Sequence, residues 1–462
     1  VAVEDVSALV ATHGVHARKI RALISSLSSS PLEELIRQSA LPRRTVEELL
    51  QAAQGVPPEE LAALSTVPSP ARSSTVEAIE ADIAAAPPPL RALDHVPATA
   101  DTVSRRAHWL EETYELTAGR LLCLGDHDLT SLAVAALRPE AEITVVDLDE
   151  RLLEFIDTRA RQRGLRIRCL HADLRFGLPS AAAGSADLVF TDPPYTPEGM
   201  ALFLARGIEC LREPIDGRLI VAYGYSQRNP TLGLQVQRAV QRLDIVFEAI
   251  LPGFNRYVGA QAVGSASDLY VCRPTKRPGK TAGRTGIYTH GPQSVEASAS
   301  APTEALREYG EPQQPGWQEP LRGTAFDLSA DPGPWLLRTL LATSAPEVAV
   351  LVSNNHPDIV DEQSQLALAD LLKAKYQLRF RRSTPDNKHA LVVATAVEEP
   401  SVARYILEHA HGKLGNIWRD ALIQDSGGTL TKREARDQIT ADSDDLTARV
   451  IDLPRHRLKM LL

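Results

Sequence analysis

Four strand patterns, each ending in acid and separated by helical spacing, constrain the fold more than any other feature of the chain. Arg120 to Leu124 ends in Gly125-Asp126-His127-Asp128, Glu142 to Val146 in Asp147-Leu148-Asp149, and Arg166 to Leu170 in His171-Ala172-Asp173. The fourth, Leu188-Val189-Phe190-Thr191, runs into Asp192-Pro193-Pro194-Tyr195. Helical patterns fill Leu129 to Leu137 and Glu150 to Arg163. Such alternation predicts an α/β fold built on a parallel, doubly wound sheet. Further strand patterns at Gly217 to Tyr223, Ile245 to Leu251 and Leu269 to Cys272 predict an antiparallel addition near its end. The acids then share the carboxyl edge of one sheet, where open α/β sheets bind ligands.

The residue types on that edge suit a nucleoside and an amine. An acid after the second strand, here Asp147, accepts hydrogen bonds from ribose hydroxyls. Asp173 is placed to take an adenine amino group, and Gly125 lets the backbone approach the ligand closely. Asp192 sits in a turn that Pro193 and Pro194 stiffen, so its carboxylate can orient an amine and accept its proton. Tyr195 either packs its ring on a cationic centre, worth roughly 0.5 to 2 kcal/mol, or wedges the turn. Each residue has a plain structural reading: Asp-Pro and Pro-Pro are common turn punctuation, and His127 and His171 fit an ordinary loop and strand edge. Four carboxylates on one edge would repel one another and raise their pKa values, which favours reading them as a set.

The 462 residues suffice for about three domains. Residues 1–70 show short helical patterns with a tight turn at Leu41-Pro42, as in a winged-helix-like module. Arg43 and Arg44 begin its third helix, but Glu47 and Glu48 follow and would repel phosphate. Residues 71–90 read as a linker with one short helix, 91–275 as the sheet domain, and 276–335 as a Pro-, Gly- and Ser-rich flexible connection. Residues 336–462 read as a small α/β and helical extension. The net charge of −9 announces no basic field for nucleic acid, so such a partner is not favoured, and a homodimer is left open. The four cysteines have no metal-ligand spacing and lie in apolar runs, as reduced thiols would. With no apolar run of transmembrane length and no signal core, a cytoplasmic protein without a membrane or metal requirement is expected.

The stretch from about Asp94 to Cys272 resembles the branched-chain polyamine synthase, or bis(aminopropyl)spermidine synthase, family. The resemblance rests on Gly125-Asp126-His127-Asp128-Leu129-Thr130-Ser131, Asp147-Leu148-Asp149-Glu150-Arg151-Leu152, Asp173-Leu174-Arg175, Asp192-Pro193-Pro194 and Phe254-Asn255-Arg256-Tyr257. It implies a methyltransferase-type Rossmann domain behind a winged-helix-like one, and aminopropyl transfer from decarboxylated S-adenosylmethionine to a polyamine. It also places Gly125, Asp126, Asp128, Asp147, Asp173 and Pro193 on the donor, Asp94, Asn255 and Tyr257 on the acceptor, and Asp192 with Tyr195 at the reaction centre. Two features depart from it. Family members usually carry an acid after Asp-Pro-Pro, where this chain has Tyr195, and the extension beyond residue 275 has no counterpart. Asp-Pro-Pro-Tyr is instead the pattern of methyltransferases that use ordinary S-adenosylmethionine on amino nitrogens, which keeps that activity as an alternative. A non-catalytic polyamine- or nucleotide-responsive regulator is the third reading.

Overall fold

In the computed structural model the described residues are 2–65, 72–259, 264–275, 286–288, 304–313, 316, 319–329 and 335–462. The chain opens with five helices, α1 (Ala2–Thr12), α2 (Ala17–Ile24), α3 (Leu32–Ser39), α4 (Arg43–Ala52) and α5 (Pro58–Ala63). Their apolar stripes, including Val6, Val10, Ile20, Leu23, Leu35, Val46 and Leu49, close on one another as a separate small core. At the start of α4, Arg43 pairs with Glu33 and Glu47, and Arg44 with Glu48 at 2.9 Å. Both arginines are therefore matched by acid, and no strand occurs among the described residues 2–65.

Helix α6 (Arg72–Ala85) occupies much of the expected linker and packs on α7 (Ala100–Thr113). Its Asp82, buried, takes both guanidinium nitrogens of Arg163 at 2.6 and 2.7 Å. The central domain then runs β1 (Arg120–Leu124), α8 (Thr130–Leu137), β2 (Glu142–Asp147), α9 (Glu150–Arg163), β3 (Ile167–His171), β4 (Leu188–Thr191), α10 (Pro197–Cys210), β5 (Arg218–Tyr223), α11 (Pro230–Gln241), β6 (Ile245–Arg256) and β7 (Ala266–Pro274). These strands make one seven-stranded sheet in the order β3-β2-β1-β4-β5-β7-β6. The first five are parallel and β7 enters antiparallel between β5 and β6.

Both faces of the sheet are covered, which explains the continuous apolar runs in its strands. Leu122, Leu124, Val146, Leu170, Val189 and Leu219 pack to one side, and Leu121, Cys123, Ile143, Val145, Leu188 and Phe190 to the other. All four cysteines are buried free thiols. The strand order puts the reversal of connection direction between β1 and β4, so a crevice opens at their carboxyl ends. That crevice is where Gly125 and Asp192 lie.

The C-terminal unit contains β8 (Ala325–Asp327), α12 (Trp335–Ala342), β9 (Glu347–Ser353), α13 (Glu362–Leu372), β10 (Tyr376–Arg382) and β11 (His389–Ala396), with a four-stranded sheet ordered β10-β11-β9-β8. It closes with α14 (Val402–Glu408), α15 (Leu414–Asp425), α16 (Lys432–Asp437), α17 (Ser443–Thr447) and α18 (Arg455–Leu461). Strand β8 falls inside the stretch expected to be a loose connection. At three residues it carries no readable periodicity, and it becomes a strand only by parallel pairing with β9.

This unit is clamped to the central domain through α9. Glu150, one turn from the β2 acid, pairs with the fully buried Arg338 of α12 and accepts the Arg455 backbone N–H at 2.7 Å. Arg338 also donates to the carbonyls of Ile451 and Leu453 at 2.8 and 2.9 Å. Asp157 receives His456 and Arg457. No helix among the described residues is long and apolar enough to cross a membrane. Because removing one partner strands a buried charge, Arg338→Met should lower unfolding free energy in urea by about 3 to 5 kcal/mol. A loss below about 1 kcal/mol would remove the pair from the account of how the two units hold together.

Candidate active site

The carboxyl ends of β1 to β4 open onto a solvent-open cavity. Asp94, Asp147, Asp173 and Asp192 line it, with Leu93, Leu148, Leu174, Pro194, Phe203, Ile287 and Tyr288 supplying apolar wall. Among the described residues neither Lys nor Arg lines it, and the lining groups able to carry positive charge are His95 and His127. Those two rings stack at 4.6 Å between centroids. His127 Nε2 lies 3.0 Å from the Val96 carbonyl and 3.3 Å from Asp128. Burial pulls the His127 pKa down, but Asp128 and the Val96 carbonyl outweigh it and the net direction is upward. Its charge is thus already matched within the protein.

The wall of the cavity at β1 to β3 is built by strand-end geometry. Gly125 leaves β1 with φ +70°, a conformation that favours glycine, and a Cβ there would lie 3.6 Å from Phe203. Asp147 ends β2 and accepts the backbone N–H groups of Asp126 at 2.9 Å and Asp149 at 2.8 Å, so it ties the first two loops together. Burial raises its carboxyl to about 6 despite those bonds. Asp173 is gripped by Arg175, whose Nη2 lies 2.5 Å away, and Trp335 of α12 covers that guanidinium at 4.7 Å from the ring centroid. Asp126 turns away from the cavity: its carboxylate accepts the Ser131 N–H and hydroxyl at the start of α8, and burial raises it to about 7. Pro193 is buried behind the turn, while Pro194 reaches the wall.

Beside this cavity lies a buried charge network centred on Arg106, a residue without a sequence motif. Its guanidinium donates to Asp192 Oδ2 at 2.6 Å, Asp128 Oδ2 at 2.8 Å, Asn255 Oδ1 at 2.8 Å and the Tyr257 hydroxyl at 3.2 Å. The Phe190 ring lies beneath it at 5.1 Å. Asp128 also accepts the Ala98 N–H at 2.7 Å. Burial pushes the Asp192 carboxyl up, Arg106 pulls it down, and the upward direction prevails. For Asp128 burial also pushes up, but His127 and Arg106 together bring it below the ordinary carboxylate range. Arg106 follows Val103 and precedes Ala107 and Leu110 on one buried stripe of α7. A lone arginine in an apolar stripe was the available signal, since burying it demands partners.

Asn255 and Tyr257, expected on the acceptor, lie inside the network and do not line the cavity. Asn255 is fully buried, holding Arg106 through its carbonyl oxygen and donating to Ser267 at 2.9 Å. Tyr257 donates to Asp192 Oδ2 at 2.8 Å, and its hydroxyl oxygen lies 2.8 Å from that of Tyr195. Tyr195 in turn donates to Asp192 Oδ1 at 3.0 Å, and its ring meets Tyr223 edge-on at 5.4 Å. Both Asp192 oxygens are therefore oriented by protein donors. Arg256 is directed to the carbonyls of Gly253 and Asn255 and does not face the cavity.

The sheet order defines a class I methyltransferase-like Rossmann domain. Residues 76–282 match the family described as the Branched-chain polyamine synthase A C-terminal domain. That match spans the central domain and less than half of the chain. Among its relatives, an uncharacterised protein of Methanocaldococcus jannaschii is 37% identical over 38% of this chain and 44% of its own length. The N(4)-bis(aminopropyl)spermidine synthase of Thermococcus kodakarensis is 32% identical over 37% of this chain and 49% of its own. The chain thus spans less than half the length of these relatives. A crystal structure of the branched-chain polyamine synthase of Thermus thermophilus, in complex with N4-aminopropylspermidine and 5'-methylthioadenosine, has a TM-score of 0.40 at 20% identity, covering 58% of this chain and 90% of that one. The Release factor glutamine methyltransferase of Bordetella pertussis is 35% identical over 21% of this chain and 35% of its own.

The raised Asp147 carboxyl gives a pH dependence with a defined sign. If it accepts ribose hydroxyls, protonation as pH falls through about 6 removes the acceptor. Affinity for 5'-methylthioadenosine, titrated calorimetrically, should therefore drop between pH 7.5 and 5, and Asp147→Asn should bind weakly with no such slope. An unchanged wild-type affinity across that range would take Asp147 off the ribose.

Proposed function

We propose that this chain transfers an aminopropyl group from decarboxylated S-adenosylmethionine to a polyamine nitrogen. The observation that carries this reading is a cavity lined by four aspartates and, among the described residues, by neither lysine nor arginine. Such a wall favours a donor that carries a sulfonium and an ammonium but no carboxylate, and it draws in a polycationic acceptor. Relatives named N(4)-bis(aminopropyl)spermidine synthase support the same activity.

In this reaction the lone pair of the acceptor amine attacks the aminopropyl carbon bonded to sulfur. The C–N bond forms as the C–S bond breaks, its electron pair moves to sulfur, and neutral 5'-methylthioadenosine leaves. The new ammonium sheds one proton. Asp192 is the assigned acceptor of that proton and the group that orients the amine, with Asp94 as a second anionic contact. Arg106, Tyr195 and Tyr257 are positioning residues: they hold both carboxylate oxygens and fix the face presented to the amine. Asp147 and Asp173 are assigned to ribose and adenine. The buried, reduced thiols fit a cytoplasmic setting.

Methyl transfer from ordinary S-adenosylmethionine is the second reading, favoured by Asp192-Pro193-Pro194-Tyr195 and by the partial match to a glutamine methyltransferase. Against it, the Tyr195 ring is absent from the cavity wall and its hydroxyl is engaged by Asp192 and Tyr257. Incubation with each donor and a panel of linear and branched polyamines, followed by mass spectrometry, separates the two by the group gained. The expected product carries an aminopropyl group; a methyl gain alone would establish the second reading. Asp192→Asn should cut turnover by about 100-fold or more while 5'-methylthioadenosine affinity stays within a few-fold. Full turnover in that variant would exclude Asp192 from proton transfer.

A further inference from the structure

Two residues of the cavity wall, Ile287 and Tyr288, come from beyond the stretch that matches the family. They are buried, at 3% and 6% exposure, within the main hydrophobic core. Burial pushes the Tyr288 hydroxyl pKa upward, Asp173, Asp147 and Asp94 add to that and Arg175 opposes it, and the three acids line the same cavity. Those acids are the groups assigned above to the donor nucleoside and to the amine. The segment is also anchored to the reaction-centre turn. Thr196, directly after Tyr195, donates its hydroxyl to the Ile287 carbonyl at 2.6 Å and accepts the Gly199 N–H at 2.9 Å as the N-cap of α10. Gly199 permits this close approach, since a Cβ there would lie 2.9 Å from the Pro194 carbonyl oxygen and from Thr196 Oγ1.

We infer that Tyr288 is a donor-binding residue, contributing an aromatic wall to the nucleoside cavity from outside the family-matched domain, with Thr196 holding it in register with the Asp-Pro-Pro-Tyr turn. A tyrosine placed there supplies apolar area against the nucleoside and a hydroxyl within the acidic rim, at little conformational cost because it has only two side-chain torsions. Its carbonyl neighbour Ile287, fixed by Thr196, gives the segment one defined position without a continuous secondary-structure element. The turn that carries Asp192 and the wall that carries Tyr288 thereby share one hydroxyl, so a change in either is transmitted to the other.

This inference rests on the reading of the cavity as a nucleoside site, and the test separates the two. The full chain and its Tyr288→Ala, Tyr288→Phe and Thr196→Val variants are titrated with 5'-methylthioadenosine by calorimetry, with thermal unfolding as a check on integrity. Tyr288→Ala should weaken binding at least tenfold, Tyr288→Phe should retain affinity within about threefold, and Thr196→Val should fall between them, because the ring rather than the hydroxyl supplies most of the wall. Wild-type binding with unchanged affinity in Tyr288→Ala overturns the role of Tyr288 alone. Tighter binding by Tyr288→Ala also overturns it, since the ring would then occupy the nucleoside's place instead of lining it. Failure of the wild-type chain to bind 5'-methylthioadenosine or S-adenosylhomocysteine sinks the nucleoside reading and this inference with it.

Discussion

The site depends on one buried cation. Arg106 has no exposed side-chain surface and holds two carboxylates, Asp128 from the β1 loop and Asp192 from the β4 turn. Without it, those acids would face each other in a low-dielectric setting, and at least one would take up a proton. A guanidinium suits this place because its planar fork reaches two acids, an amide oxygen and a phenol at once. Asp173 is likewise matched by Arg175, so the excess negative charge on the cavity side sits at Asp94 and Asp147. The same cation sets the orientation of Asp192.

Much of this was legible because strand ends have few degrees of freedom. Each of β1 to β4 was readable as a short apolar run, and parallel pairing then forces their terminal acids onto one edge. Asp147, Asp173 and Asp192 accordingly lie together on the cavity wall. What the linear pattern could not convey is which way a side chain turns once the strand has ended. Asp126 and Asp128 stand one residue either side of His127, yet the first bonds to the start of α8 and the second to Arg106. Asn255 and Tyr257 project from β6 and the residue after it into the protein, where they serve Arg106 and Asp192. Those partners are separated from them by 149, 151 and 65 residues, beyond any local signal.

The C-terminal unit bears on the donor side through two routes. Trp335 covers Arg175, which grips Asp173, and Arg338 with Arg455 holds Glu150 just after the Asp147 loop. Neither contact reaches the cavity itself, yet both brace loops that line it. The extension is therefore part of the scaffold on which Asp147 and Asp173 are positioned, in addition to supplying the wall residues Ile287 and Tyr288. Its first strand, β8, and the wall segment both lie in a polar, Pro-rich stretch and are each tied to a distant partner, β9 and Thr196.

The central claim is that the acidic edge selects a donor lacking a carboxylate. A unit charge about 4 Å from a carboxylate is worth on the order of 4 kcal/mol at an effective dielectric of 20, so even a screened fraction discriminates between the two sulfonium donors. The direct measurement is a competition titration of decarboxylated against ordinary S-adenosylmethionine on the full chain at neutral pH and low salt. The account predicts that the decarboxylated donor binds at least tenfold tighter, a difference of about 1.4 kcal/mol. Equal affinity, or a preference for the carboxylated donor, would contradict it.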